Sequence, residues 1–278
     1  MNVEAILQQI AAEAARGDMV FPTSTEVTLR VQEALDDPDC SVDHLGKLIA
    51  AEPVLSARLV SIAGSVAYNP FGRPVSDVRS AISRLGFNAV RVVAVAMIVR
   101  QMQTLSKHPA HRQLAARLWE HTAHVAALAR TIAKRVTRQD PEAAFFAGIV
   151  HEVGGFYLIA RASAFDGLLE DGLESWCNGG EALVGRAVLA SLHVPANILG
   201  ALEILWEGYL AMPAQTLGDT LLLADALAPV KSPLMPTAGP GQRDMPAEID
   251  MQVGDELLSQ ILADAADEVA SLTNSLQA

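Results

Sequence analysis

Apolar residues recur at three- and four-residue intervals in one segment after another of this chain, and proline and glycine fall between those segments. Val3, Ile6, Leu7 and Ile10 set the spacing first, and Gly17 closes that segment. Because an α-helix turns once in about 3.6 residues, such positions share one face, whereas a half-buried strand alternates strictly. The periodicity persists to the end of the chain, so the fold class it predicts is all-α, a two-lobed helical bundle.

The boundaries are written in capping and breaking residues. Val27, Val31, Ala34 and Leu35 form a stripe between a Thr/Ser cluster with Glu26 and the stop Asp37-Pro38. Ser41 then stands as an N-cap with His44 at N3, ahead of Val42, Leu45, Leu48 and Ile49. Pro53 opens the next helix, since a first turn tolerates proline. After a loop containing Asn69, Pro70, Gly72 and Pro74, Ser76 is the expected cap for Val78, Ile82 and Leu85; Gly86 stops that stripe and Asn88 restarts it. Beyond His108-Pro109 a long pattern puts Leu118, Thr122, Val125, Leu128 and Ile132 on one face of a central helix. A segment from Pro141 is expected to break at Gly154-Gly155; further helices end before Pro195, begin at Pro195, and run through Leu217, Leu221, Ala224 and Leu227. The expected organisation is therefore a first lobe over 1–108, a second over 109–228, a Pro/Gly-rich loop over 229–250, and a C-terminal helix over 251–278 that docks on the protein or on a partner, with a homodimer as one use.

Several function classes are disfavoured. Among 278 residues the formal charge is −12, and no basic stripe offers itself to a phosphate backbone, so no direct nucleic-acid partner is expected. Glu4 and Glu13 stand where a secretory leader carries basic residues, which predicts a cytoplasmic protein. The most apolar run, Ala89 to Val99, is interrupted by Arg91 and closed by Arg100; it is too short to cross a bilayer, and no membrane partner is expected. Cys40 and Cys177 lie far apart with no zinc-type spacing and read as reduced thiols. His111 and His124 read as solvated or capping residues and His193 as a helix-end cation; Trp119, Trp176 and Trp206 read as core or interface anchors.

The stretch from Phe21 through VSDVRSAISRLGFNAVRVVAVA carries a Pro-containing lead-in, an Asp-Pro-Asp turn, a helix of the form I-x-x-E-P-x-L-x-x-R-L and an A-I-x-R-L-G helix. Together these resemble the N-terminal half of HDOD domains, and the likeness continues to about Pro229 through LWEHTAHVAALAR, FFAGIVHEVGGFYL and LLLADALA. The last three segments are similar to the metal-ligand helices of the wider HD superfamily, which implies an HD-domain-like C-terminal lobe. Carried over by position, the resemblance implies His121, His151, Glu152 and Asp225 as metal ligands, with Glu152 one methylene longer than the family's aspartate. Glu181 and Leu205-Trp206 stand where binuclear relatives place further histidines, and the GYP signature of cyclic-di-GMP-cleaving relatives is absent.

Imidazole and carboxylate together suit iron, manganese, zinc or magnesium, and a metal can lower the pKa of bound water to make a nucleophile. The same four residues also read as a buried hydrogen-bonded cluster, and no cofactor is certain. The leading expectation is a non-catalytic bacterial signal-transduction module that binds a signalling protein or a nucleotide second messenger. The alternative is a metal-dependent phosphohydrolase acting on a nucleotide or cyclic dinucleotide through a degenerate HD site, for which Arg117 and Lys134 are the candidate phosphate contacts.

Overall fold

The computed structural model describes residues 2–16, 25–64, 68, 69, 71–73, 75–103, 105–211, 213–235, 259–266 and 269. Their regular structure is entirely helical, with no strand among the described residues. The helices are α1 (Val3–Ala15), α2 (Thr25–Asp36), α3 (Val42–Ala50), α4 (Pro53–Gly64), α5 (Val78–Met102), α6 (Pro109–Ile132), α7 (Pro141–Val150), α8 (Val153–Ala162), α9 (Leu168–Asp171), α10 (Leu173–Ser175), α11 (Glu181–Ser191), α12 (Ala196–Glu207) and α13 (Leu217–Leu227). The Phe21-Pro22 lead-in, positions 236–250 of the Pro/Gly-rich segment and most of the expected C-terminal helix lie outside the described residues; 259–266 is helical.

Two compact units divide the chain. The smaller holds α2 to α5 as far as Gln101. Its core joins Val31 of α2, Leu45 and Ile49 of α3, Leu55, Leu59 and Ala63 of α4, and Ile82, Val90 and Met97 of α5. Ser41 caps α3 as expected, its hydroxyl accepting from His44 N at 3.1 Å. The cap of α5 is Asp77 instead of Ser76, accepting from Ser80 N at 2.9 Å and Ser80 Oγ at 2.7 Å. At Gly86 the backbone leaves the helical region (φ 77, ψ 165), so the stop read from that glycine is a kink inside α5. Length and composition alone would let α5 or the run Pro141–Ala162 cross a bilayer, but the apolar windows are 61% and 89% buried within the protein, as core helices are.

The larger unit holds α1 together with α6 to α13. The expected first lobe, 1–108, is therefore not the observed division. Leu7, Ile10, Ala11 and Ala14 of α1 are buried, and α1 packs along α11. Two polar contacts fix it there: Arg161 pairs with Glu13 at 2.8 Å and Ser191 Oγ donates to Ala14 O at 2.5 Å. Helical spacing revealed the stripe on α1 but could not name the surface that covers it.

At the centre of this unit, α6 runs beside α7, α8 and α13. From Leu118 to Ile132 it is buried almost all round, with Leu118, Val125 and Leu128 at 0–1% exposure. The α6–α7 contact is unusually close because α7 presents Gly148: a methyl there would lie 2.4 Å from Ala126 Cα. Asp140 caps α7, accepting from Glu142 N at 2.9 Å, and Arg130 of α6 pairs with Glu142 at 2.5 Å. The break expected at Gly154-Gly155 falls instead at His151-Glu152, and both glycines lie inside α8.

Gly148→Ala is therefore expected to lower stability by about 1–3 kcal/mol, the usual range for overpacking against a surface that cannot yield. A denaturant titration checks this, and an unchanged midpoint would mean that the α6–α7 contact is not tight.

Candidate metal centre

The α7–α8 junction and the close α6–α7 crossing bring two histidines together. His151 follows the last residue of α7 and Glu152 is the N-cap of α8, at φ −101 and ψ 15. His121 projects from the middle of α6. The two Nε2 atoms lie 3.1 Å apart, with the ring planes inclined at 63°. Each Nδ1 faces a backbone carbonyl, His121 to Val230 O at 2.8 Å and His151 to Gly148 O at 2.7 Å. A carbonyl only accepts, so both Nδ1 atoms carry the proton; in the neutral rings each Nε2 then directs a lone pair into the gap, and a protonated His121 donates from Nε2 to Asp225 or His151.

Carboxylates complete the set. Asp225, near the C-terminal end of α13, puts Oδ1 3.3 Å from His121 Nε2, and Glu152 Oε1 is 3.9 Å from the same nitrogen. One ligand atom each from His121, His151 and Glu152 fall within 4.8 Å of one another. Glu152 Oε2 is buried without a hydrogen-bond partner. Gly155 makes room for the longer side chain: a methyl there would lie 2.9 Å from Glu152 Oε2. The extra methylene of Glu152 is thus accommodated by a glycine one turn on, a compensation that the residue identity alone did not reveal.

This donor set fits a divalent cation. Two lone-pair nitrogens in contact and an orphaned buried carboxylate oxygen are unfavourable by themselves and become ligands when a cation lies among them. Nδ1–H donation to a carbonyl is the arrangement that orients metal-bound histidine. His121, His151 and Glu152 are 1%, 4% and 4% exposed. The Asp225 side chain is 45% exposed and so forms the solvent side of the group.

The charges respond accordingly. Burial pushes His151 down to about 4, with the neighbouring His121 adding to the effect. Burial also opposes charge on His121, but its hydrogen bond to Asp225 and the charges of Glu152 and Asp225 prevail and raise its pKa. Asp225 is lowered although burial acts against ionisation, because His121 bonds to it. Glu152 is raised by burial, with Asp225 adding to the rise and His121 and the Ser232 hydroxyl opposing it. Glu181, at the start of α11, rises to about 8 through burial and then through the charges of Glu152 and Asp225, which places it beside the same cluster.

All four residues expected as ligands therefore converge, and Glu181 lies close to them. Trp206 sits against Gly185, where a methyl would meet its ring at 2.7 Å, and neither it nor Leu205 offers a ligand. Arg117 and Lys134 are exposed; the cation that bears on the cluster is Lys231, beside Asp225. His111 accepts from or donates to Ser106 at 3.2 Å and lies apart from the cluster. Trp119 and Trp176 are buried core residues. The stretch that closes the site, 230–234, lay in what read as loop, because proline density marks the absence of a helix and says nothing of packing.

The profile of the HDOD domain family matches residues 21–174, more than half of the chain. The chain belongs to the HDOD domain family. The match includes His121, His151 and Glu152 and ends before Glu181 and Asp225. No curated protein matches this HDOD protein in sequence. Among solved structures it is similar to a protein from Shewanella amazonensis SB2B assigned by inference to the metal-dependent phosphohydrolases, at 19% identity and TM-score 0.64 over 96% of this chain and 99% of that one. An HDOD domain protein of unknown function from Geobacter sulfurreducens aligns at 20% identity and TM-score 0.56, over 97% of this chain and 93% of the other. A protein from Marinobacter aquaeolei VT8 assigned by inference to signal transduction aligns at 18% identity and TM-score 0.61, over 99% of this chain and 66% of that one. At these identities the likeness establishes the fold.

The pKa shifts carry a prediction for the metal-free protein. Above about pH 7.5 His151 is essentially neutral both in the folded chain, where its value is about 4, and in the unfolded chain, where histidine titrates near 6.5. Glu181, ordinarily at 4.5 and here at about 8, binds more protons folded than unfolded in that window. His121, also raised, acts in the same direction. Stability is therefore expected to fall as pH rises from about 7.5 to 8.5, and Glu181→Gln to flatten the slope; urea midpoints at intervals across that range check it, and a midpoint that rises with pH contradicts it.

Proposed function

We propose that this HDOD protein is a regulatory module of bacterial signal transduction, acting in the cytoplasm by binding a protein partner without turning over a substrate. The observation that carries this reading is the depth of the His121/His151/Glu152 group, no more than 4% exposed, beneath the chain at 230–234, whose Val230 carbonyl bonds to His121. Hydrolysis of a phosphoester brings the reacting phosphorus to about 3–3.5 Å from the attacking oxygen. Asp225 is the exposed member of the cluster, at 45%, and a carboxylate at that side works against an anionic substrate unless cations compensate it.

His121, His151, Glu152 and Asp225 are the residues that would hold a divalent ion, and a metal bound by such ligands can polarise phosphoryl oxygens and activate water. In the regulatory reading the same four side chains serve to tie α6, the α7–α8 junction and α13 together. Their buried charges then need a counter-ion, and the fold needs the tie. A protein partner is favoured over a nucleotide second messenger because the formal charge is −12 and the cluster holds the carboxylates Glu152 and Asp225. The phosphohydrolase reading retains one specific support, that Gly155 accommodates Glu152 close to both histidines.

Elemental analysis of protein purified without chelator, with His151→Ala alongside, separates the two readings. The regulatory reading expects near-stoichiometric iron, manganese, zinc or magnesium in the parent and none in the variant. It also expects a gain of about 3 kcal/mol in stability at a metal concentration a hundred times Kd, and no release of product from cyclic dinucleotides or simple phosphoesters. Metal-dependent turnover that His151→Ala abolishes would overturn it in favour of the enzyme.

A further inference from the structure

Three of the four candidate ligands are tied to one short stretch of chain. Beyond α13 the backbone turns at 228–235 and crosses the cluster. Val230 O accepts from His121 Nδ1 at 2.8 Å. The Ser232 hydroxyl lies against the Glu152 carboxylate and lowers its pKa. Lys231 Nζ donates to Asp225 O at 3.3 Å and Ala226 O at 2.7 Å, fastening the stretch to the end of the helix that carries Asp225. Leu234, 1% exposed, fills the space above Gly155, where a methyl would lie 2.6 Å from its Cδ1. His151 alone is anchored elsewhere, to Gly148 of its own helix.

We propose that residues 228–235 form a latch whose closure is coupled to occupancy of this centre by a divalent cation, an inference that rests on the metal-holding reading above. The coupling has a direct physical route. A cation on His121 Nε2 fixes the imidazole in the tautomer with the proton on Nδ1 and polarises that N–H, which strengthens its bond to Val230 O. Drawing Asp225 onto the same cation fixes the end of α13, to which Lys231 is fastened. With the cation removed, Nε2 competes for the proton and Glu152 loses its counter-charge, which weakens two of the three polar ties of the latch. The stretch itself exposes Lys231 and Met235 to solvent. Occupancy of a buried site thereby reaches the surface.

A native reporter sits under the latch. Cys177 is half-buried and its thiol points at Leu234 O, 3.7 Å away; Cys40, also half-buried, lies in the other unit and serves as an internal reference. Alkylation of the full chain by N-ethylmaleimide, resolved by cysteine, is measured at one pH with and without Mn²⁺, a cation chosen because it prefers carboxylate and imidazole to thiol. Mn²⁺ is expected to slow Cys177 at least about ten-fold by suppressing local opening, and to leave Cys40 unchanged. Calorimetry on the same samples reports binding itself. Mn²⁺ that binds without altering the Cys177 rate overturns the latch and spares the metal site, whereas absence of binding overturns both.

Lys231→Ala supplies the second test. Lys231 is exposed, so its loss leaves the core intact. Electrostatics alone predicts tighter Mn²⁺ binding in the variant, because a positive charge beside Asp225 has gone; the latch predicts weaker binding and a faster Cys177 reaction in the presence of Mn²⁺. Tighter binding with full protection would rule the latch out.

Discussion

Two imidazole edges meeting with a lone pair each is the arrangement on which the site of this protein depends. Both rings are committed on their other nitrogen to a main-chain carbonyl, so neither can turn to offer a proton. For rings only 1% and 4% exposed, such a pair calls for a positive charge between them. A proton shared with Asp225 is one answer, which explains why His121 is held above the ordinary histidine range while His151 is driven below it. A divalent ion is the other, and Glu152 and Asp225 stand around the gap as its remaining donors. The arrangement exists because α6 and α7 approach closely enough at Gly148 for side chains on two helices to touch.

Around that pair the chain has accumulated negative charge. Glu181 is raised to about 8 first by burial and then by repulsion from Glu152 and Asp225. Uncompensated acids beneath a closed surface are destabilising, and their persistence makes sense where a cation belongs. The same charge is unfavourable to phosphate ligands, which need compensating cations.

Much of the helical layout was legible in the chain because its signals are local. Ser41 caps α3 through a bond to the amide three residues on, and Gly86 leaves the helical region where a stop was expected. Where two local signals competed, the weaker reading failed. Asp77 displaced Ser76 at the head of α5 because its carboxylate serves both the amide and the hydroxyl of Ser80. The break between α7 and α8 came at His151-Glu152, since Gly154 and Gly155 are used for close packing inside α8: methyls there would meet Gly185 N at 3.0 Å and Leu234 Cδ1 at 2.6 Å.

By itself the sequence determined the helical class, most of the helix ends and, through the resemblance to HD-type proteins, the identity of His121, His151, Glu152 and Asp225 as a group. These properties follow from residue type and spacing along a few turns, which any helix of that composition expresses. Only the tertiary structure decided that α1 packs on α11, that Gly155 yields space to Glu152, and that the stretch after α13 returns to cover the histidines. Each of these joins residues remote along the chain. Such contacts are selected by the shape and polarity of surfaces that exist only once the helices have packed, so no local pattern can specify them.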